Sequence, residues 1–363
     1  MMMMMMMMKK ILLLLMIIQT SLSTTTKLLV TRGVGAYVER ECSDSNFYAM
    51  SIRTEMVRDS ADAVALDMGG YFWGPSIMTK EQRLNLTSSA FVRSGYDAYA
   101  LNVDDLIADY ENTEMMASAF FQRVDPGRPP IVTNLEASSL INTTRYTITS
   151  VNNITFGILS LLDPTKLDLI PSSTYSDLTF RGYDQALTSQ IERIRQYEVD
   201  VLVLMVDSIP QSEDTCSSGN FSSWTHLESL ARSHGDIDIV LAGPNIAKNH
   251  EEIVTNLTNW FDEPVFLVSL KDGDVIHHVN VTLLDRSLSN VHVEFEEVSC
   301  ENDPDSEVQS TAVRTFNAMN EVARNTIVLA NLTQELSRDH VGMILCDSIA
   351  SLNVDFAMIL NDS

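Results

Sequence analysis

Basic residues are scarce. Lys and Arg number 24 against 49 Asp and Glu, so the 363-residue chain carries a formal charge of −25. That balance argues against binding along a nucleic-acid backbone, which needs a basic face. It argues equally against docking on anionic lipid. No apolar run beyond the leader reaches the length of about 20 residues that a membrane helix needs. Cysteine is rare, with Cys42, Cys216, Cys300 and Cys346 alone, and none is spaced like a zinc site or a redox pair. A Gly-x-Ser-x-Gly elbow and a Gly-x-x-x-x-Gly-Lys phosphate loop are both missing, and no internal repeat is visible. What is present is ample core material: 45% of the residues are hydrophobic and 20% are charged. Such a chain folds rather than staying disordered, as one large or two medium domains.

Eight Met and then Lys9-Lys10 precede an apolar run over 11–18, with Ser21 and Ser23 following. A cationic start, a short apolar stretch and a small-x-small exit describe a signal peptide over 1–23. An uncleaved anchor is the competing reading, although the run is short for a span. Asn-x-Ser/Thr sequons at Asn85, Asn142, Asn153, Asn220, Asn256, Asn280, Asn331 and Asn361 agree with a secreted, extracellular or lumenal protein carrying N-glycans. In an oxidising compartment the four cysteines allow two disulfides in three pairings. Buried free thiols are the alternative.

Short β-branched runs alternate with amphipathic stretches. Strands are expected at 27–31, 63–67, 98–103, 131–134, 201–206 and 238–242. A hairpin is expected from 145–149 and 155–161, turning at Asn152-Asn153. Three closing strands follow at 265–269, 275–283 and 291–298. Helices are expected at 49–59, 81–95, 184–197, 224–234 and 308–337. The last has Val313, Phe316, Met319 and Val322 at helical spacing. This order predicts an α/β fold with a mixed sheet or two stacked sheets. In such folds the loops after the strands carry the site. Those loops follow Thr31, Asp67, Val103, Val206 and Ala242.

The segments Leu28-Leu29-Val30-Thr31, Ala65-Leu66-Asp67-Met68-Gly69-Gly70, Gly95-Tyr96-Asp97-Ala98, Pro130-Ile131-Val132-Thr133-Asn134, Val201-Leu202-Val203-Leu204-Met205 and Ile239-Val240-Leu241-Ala242-Gly243, in this order and spacing, resemble the 5′-nucleotidase branch of the calcineurin-like metallophosphoesterases. The resemblance implies a four-layer α-β-β-α sandwich over 26–300, two stacked mixed sheets flanked by helices. Residues 301–363 then form a linker, a long helix and the truncated start of that family's C-terminal domain. Leu345-Cys346-Asp347 and Val354-Asp355-Phe356 match that start.

The family holds two divalent ions such as Zn²⁺ or Mn²⁺, which clamp a phosphate and activate water. Residue by residue, its ligand positions fall on poor donors here. The first loop's Asp-x-His becomes Gly33 and Gly35, and the carboxylate bridging both ions becomes Gly70. Leu101-Asn102-Val103-Asp104 aligns with Gly-Asn-His-Glu/Asp, so Asn102 keeps an amide while Val103 replaces the His that protonates the leaving group. Asp207 stands at a His position. Pro244 and Ile246 replace the two His of the fifth loop. Only Asn102 and Asp207 retain donor atoms. None of the seven histidines falls in a site loop, and His277 and His278 point to opposite faces of one strand.

Weaker candidates compete with structural readings. Asp104 and Asp105, with Asp97 and Asn102, suggest a Ca²⁺ or Mg²⁺ site, or simply a solvated acidic loop. Tyr71-Phe72-Trp73 suggest stacking on a flat ligand, or a buried anchor. Arg32 beside Gly33-Val34-Gly35 suggests a phosphate turn, or a plain loop. Asp67 reads as structural. The expectation is a secreted glycoprotein with a degenerate metallophosphoesterase domain, no catalytic residues, no cofactor, and an unidentified protein or surface partner. The alternatives are a working secreted phosphoesterase hydrolysing nucleotide phosphates, and a fragment of a longer two-domain protein.

Overall fold

The computed structural model describes residues 23–32, 49–60, 62–70, 80–102, 105, 123–124, 128–137, 142–164, 178–206, 223–243, 253–271, 275–299 and 302–329. Two sheets stack face to face. The first has five strands, in the order β13 (Ser287–Glu297), β12 (Val275–Leu284), β1 (Ser23–Thr31), β2 (Ala63–Asp67) and β3 (Ala98–Tyr99). The second has six, in the order β10 (Val254–Thr258), β11 (Pro264–Ser269), β9 (Ile239–Ala242), β8 (Val201–Val206), β6 (Ile154–Leu161) and β5 (Thr147–Val151). A small pair, β4 (Leu135–Ala137) with β7 (Thr179–Phe180), stands apart.

Helices α1 (Ala49–Arg58), α2 (Lys80–Ser94) and α5 (Ser306–Leu329) belong with the first sheet, and α3 (Tyr183–Ile194) and α4 (Ser223–Ser233) with the second. The expected four-layer α-β-β-α sandwich is thus the observed architecture.

Burial explains the element types. Every residue of β8, Val-Leu-Val-Leu-Met-Val, is buried, as expected of a parallel strand covered on both faces. β12 instead alternates, because the antiparallel edge of its sheet has one solvated face. Leu28, Val30, Phe156, Ile158, Val203, Leu241 and Val279 meet between the sheets. Removing such a side chain as Phe156 costs about 3–5 kcal/mol. In α3 the buried positions Ala186, Leu187, Gln190, Ile191 and Ile194 form one stripe.

Two-residue turns close two hairpins. Asn152 and Asn153 have φ of 52° and 63°, and Asp285 and Arg286 have 52° and 67°. Two successive positive values match the right-handed twist of the strands they join. The turn expected at Asn152-Asn153 is therefore present.

An unexpected device repeats at three strand starts. Asp97, Asp200 and Asp238 each stand one residue before a parallel strand. Asp97 gives its N–H to Ala65 O at 2.9 Å and takes the Ala65 N–H on its carboxylate at 2.9 Å. Asp200 does the same with Thr155, at 2.9 and 2.8 Å. Asp238 does so with Leu202, at 3.0 and 2.7 Å. Each carboxylate satisfies a backbone amide that the late-starting neighbour strand leaves unpaired.

Several expectations need correction. The strand expected at 131–134 is reduced to bridges from Ile131 to Ala100 and Thr144. Pro129 and Pro130 precede it without N–H donors. β3 stops at Tyr99 rather than 103, and the hairpin begins at Thr147 rather than 145. β10 and the β4–β7 pair were not expected; all three strands are short. The last helix begins at Ser306. Its start docks on α1: Asp305 donates N–H to Ser51 O at 2.9 Å, and Val308 is fully buried.

Candidate functional site at the carboxyl edge

Strands β1, β2 and β3 are parallel, so their carboxyl ends deliver Thr31, Asp67 and the chain after Tyr99 to one edge. Asp67 is fully buried there. It accepts the Thr31 hydroxyl at 2.5 Å and the Gly69 N–H at 2.8 Å. Thr31 has one proton, which a carboxylate can only accept, so the Tyr96 phenol 2.8 Å from Thr31 Oγ1 is the donor to Thr31. Burial first, and the Asp67 charge second, push the Tyr96 phenol above its ordinary pKa of 10. Tyr96 therefore stays protonated and serves this chain of bonds.

Asp105 is the second buried carboxylate. It accepts the Gly70 N–H at 2.9 Å and the Asn102 N–H at 3.1 Å. Gly69 and Gly70 have φ of 89° and 91°, conformations that side chains rarely tolerate. A Cβ on Gly69 would lie 2.6 Å from Asn102 Cβ. The double glycine therefore lets two loops close onto each other, with Asp67 and Asp105 engaged by backbone amides on either side.

The sequence-derived positions divide accordingly. Gly70 and Asn102 come to this edge, and both are buried. Gly33, Gly35, Val103, Asp104, Asp207, Pro244, Ile246 and 71–73 lie outside the described residues. Asp97 does not join the group: it precedes β3 while Asn102 and Asp105 follow it, and its carboxylate serves Ala65. Burial raises its carboxyl above the ordinary 3.8.

His277 is buried, and its Nε2 accepts the Lys271 N–H at 2.9 Å. Burial above all lowers its pKa to about 4, so the ring is neutral. His278 faces the other way and pairs with Glu296 at 3.0 Å. His234 lies 3.1 Å from Asp184, far along the chain from this edge.

The two-ion centre can be tested on these donors. Among the described residues no three His, Cys, Asp or Glu side chains stand together to hold a metal. The described parts of these loops offer Asp67, Asp105 and Asn102, which by themselves lack the imidazoles of a dinuclear centre, and the aligned positions of the first, fourth and fifth loops lie outside the described residues.

Among the sequons, Asn85, Asn142, Asn153 and Asn256 are exposed and Asn280 is half-buried, while Asn220, Asn331 and Asn361 lie outside the described residues. All four cysteines lie outside them too. No helix among the described residues is long and apolar enough to cross a membrane. The bonds of Asp105 to the Gly70 and Asn102 amides, and the strand-start aspartates, were not expected from the sequence. The signal for the latter was there, as Asp97-Ala98, Asp200-Val201 and Asp238-Ile239.

No protein-family model matches the sequence, and no curated protein matches it significantly. Solved structures do match. A 5′-nucleotidase precursor from Thermus thermophilus superposes with a TM-score of 0.61 at 15% identity, over 85% of this chain and 60% of that one. The calcineurin-like phosphoesterase YfkN from Bacillus subtilis gives 0.58 at 13% identity, over 84% of this chain and 100% of that one. The Haemophilus influenzae NAD nucleotidase gives 0.52 at 12% identity, over 91% of this chain and 60% of that one. The chain thus spans about 60% of the length of the two nucleotidases. At these identities the likeness establishes the fold, which is that of calcineurin-like phosphoesterases and 5′-nucleotidases.

Proposed function

We propose that this chain is a secreted glycoprotein that keeps the metallophosphoesterase fold without its two-ion centre and acts as a binding component at a cell surface or in a matrix. The conformation at Gly70 carries the reading. At the position aligned with the bridging carboxylate, the residue has a φ of 91° and gives its N–H to Asp105. A carboxylate side chain at such a φ costs about 1–3 kcal/mol. The loop is therefore shaped for glycine, and Asp105 serves a backbone amide beside it. Two cations a few ångströms apart repel by several kcal/mol even at an effective dielectric near 20, so a centre lacking its shared anion does not assemble.

A second reading, a single-ion phosphoesterase, draws on Asp67, Asp105 and Asn102 sharing one edge. One experiment separates the two. The secreted protein is analysed for bound metal and assayed with a nucleoside monophosphate and an aryl phosphate, with Zn²⁺, Mn²⁺ and Ca²⁺ supplied. Our reading expects substoichiometric metal and no turnover. Stoichiometric metal with turnover that Gly70→Leu abolishes would overturn it. A single bound Ca²⁺ lost in Asp105→Asn would favour the second reading.

A further inference from the structure

A cavity of about 380 Å³ opens at the amino edge of the sheets, the end away from the loops above. It exists because β1 outruns its neighbour. β2 begins at Ala63, opposite Lys27, so residues 23–26 of β1 have no β2 partner. On its other side β1 stays paired with β12 from Ser23 to Val30. The chain leaving α1, with Asp59 and Asp62, walls the resulting step, and Asn152 closes it from the second sheet, its amide 3.5 Å from Asp62 O.

The walls narrow the ligand. They offer two carboxylates, one ammonium, amides and hydroxyls, with Ala63 the one apolar residue among the lining set. Lys27 disfavours a free cation, and the paired aspartates disfavour an anion. An apolar ligand would strand every polar group around it. A compact neutral molecule with many hydroxyls fits, and the volume lies at the small end of ligand sites. Thr26, another lining residue, is 4% exposed.

The cavity also contains an attachment point. Asn280 lines it, opposite Lys27 on β1, and begins the sequon Asn280-Val281-Thr282. Thr282 Oγ1 lies 3.5 Å from Thr25 Oγ1 on the same wall. Of the described sequon asparagines, Asn280 alone is half-buried.

We propose that this cavity is a saccharide seat, filled by the first N-acetylglucosamine of a glycan on Asn280. In the attachment, the Asn280 amide nitrogen bonds to the anomeric carbon of a lipid-diphosphate-linked oligosaccharide. The lipid diphosphate departs and the amide loses one proton. The proposal rests on the secretory reading above.

The full chain is produced in secreting eukaryotic cells and, separately, unglycosylated in bacteria. Glycopeptide mass spectrometry is expected to find Asn280 modified. On the native protein, amidase release at Asn280 is expected to be about tenfold slower than at Asn256, the factor given by about 1.4 kcal/mol of sugar contact. Denaturation removes the difference. Thr282→Val, which destroys the sequon, lowers Tm in the secreted form by about 2–4 °C, while Thr282→Ser does not. The same Thr282→Val change leaves the bacterial protein's Tm unchanged, which separates the sugar from the Thr25 contact.

Free N-acetylglucosamine raising the bacterial protein's Tm would mark a seat that also takes unattached sugar. Modified Asn256 beside bare Asn280, or equal release rates with an unmoved Tm, overturns the proposal. If no sequon is modified, the secretory reading fails instead, and the titration with free sugar alone decides the cavity.

Discussion

Asp238 offers the sharpest test of the carboxylates that tie the parallel strands together. It is half-buried and accepts the Leu202 N–H at 2.7 Å. Burial dominates its proton affinity and, with help from the charges of Glu263 and Asp236, raises the pKa from 3.8 to about 7 against the lowering effect of the Leu202 bond. Each tenfold change in proton affinity corresponds to about 1.4 kcal/mol, so ionising this group in the fold costs at most about 4 kcal/mol relative to the unfolded chain. With the folded pKa above the unfolded one, the stabilising contribution is complete below about 4 and is lost as pH rises through about 7.

Asp238→Asn keeps an oxygen for Leu202 and removes the charge. Its stability relative to wild type is therefore expected to be near zero at pH 4 and to grow to about 2–4 kcal/mol in the variant's favour at pH 8. Urea unfolding at several pH values, read as the midpoint difference at constant m, measures it. A difference that does not change with pH, or a variant less stable at pH 8, would refute the burial argument.

Three further outcomes follow from the same physics. Asp305 caps α5 through the Glu307 and Val308 N–H groups, both at 3.0 Å, and binds Arg58 and Arg93. Its pKa is lowered by the Val308 and Arg93 bonds against burial, so its contribution is present at neutral pH and lost as pH falls through the depressed value. Asp305→Ala loses about 1 kcal/mol from the cap alone, and hydrogen exchange should show faster opening at the start of α5. His277, with its pKa lowered to about 4, should stay neutral in an NMR titration from pH 8 down to 5; a midpoint near 6.5 would contradict its burial. A Cβ at Gly235 would overlap Phe261 Cδ2, and that ring is 70% exposed, so Gly235→Ala should swing it aside, read as a shifted Phe261 ring resonance by NMR.

The site was only partly legible. That Gly70 and Asn102 come to the carboxyl edge could be read by position, because each directly follows a strand that the apolar pattern displays. The tasks of the acids could not. Asp97 and Asp105 stand eight positions apart and looked like one acidic cluster. One serves Ala65 at a strand start, and the other serves Gly70 at a strand end. A carboxylate's role depends on which backbone amide crosses its path, and local sequence does not contain that amide.

By itself the sequence determined the order of the longer strands and helices, since burial on one or both faces imprints a period that a short window displays, while the choice of two stacked sheets over one mixed sheet came from the family resemblance. It also determined which residue types stand in the loops after the strands. Tertiary structure alone decided the rest. It joined Asp305 to Arg58, 247 positions away, and turned His277 inward. It also set the offset between β1 and β2 that opens the amino-edge cavity beside Asn280. The reason is common to all three: partners brought together by chain crossings carry no periodic trace along the chain, so only the packed molecule reveals them.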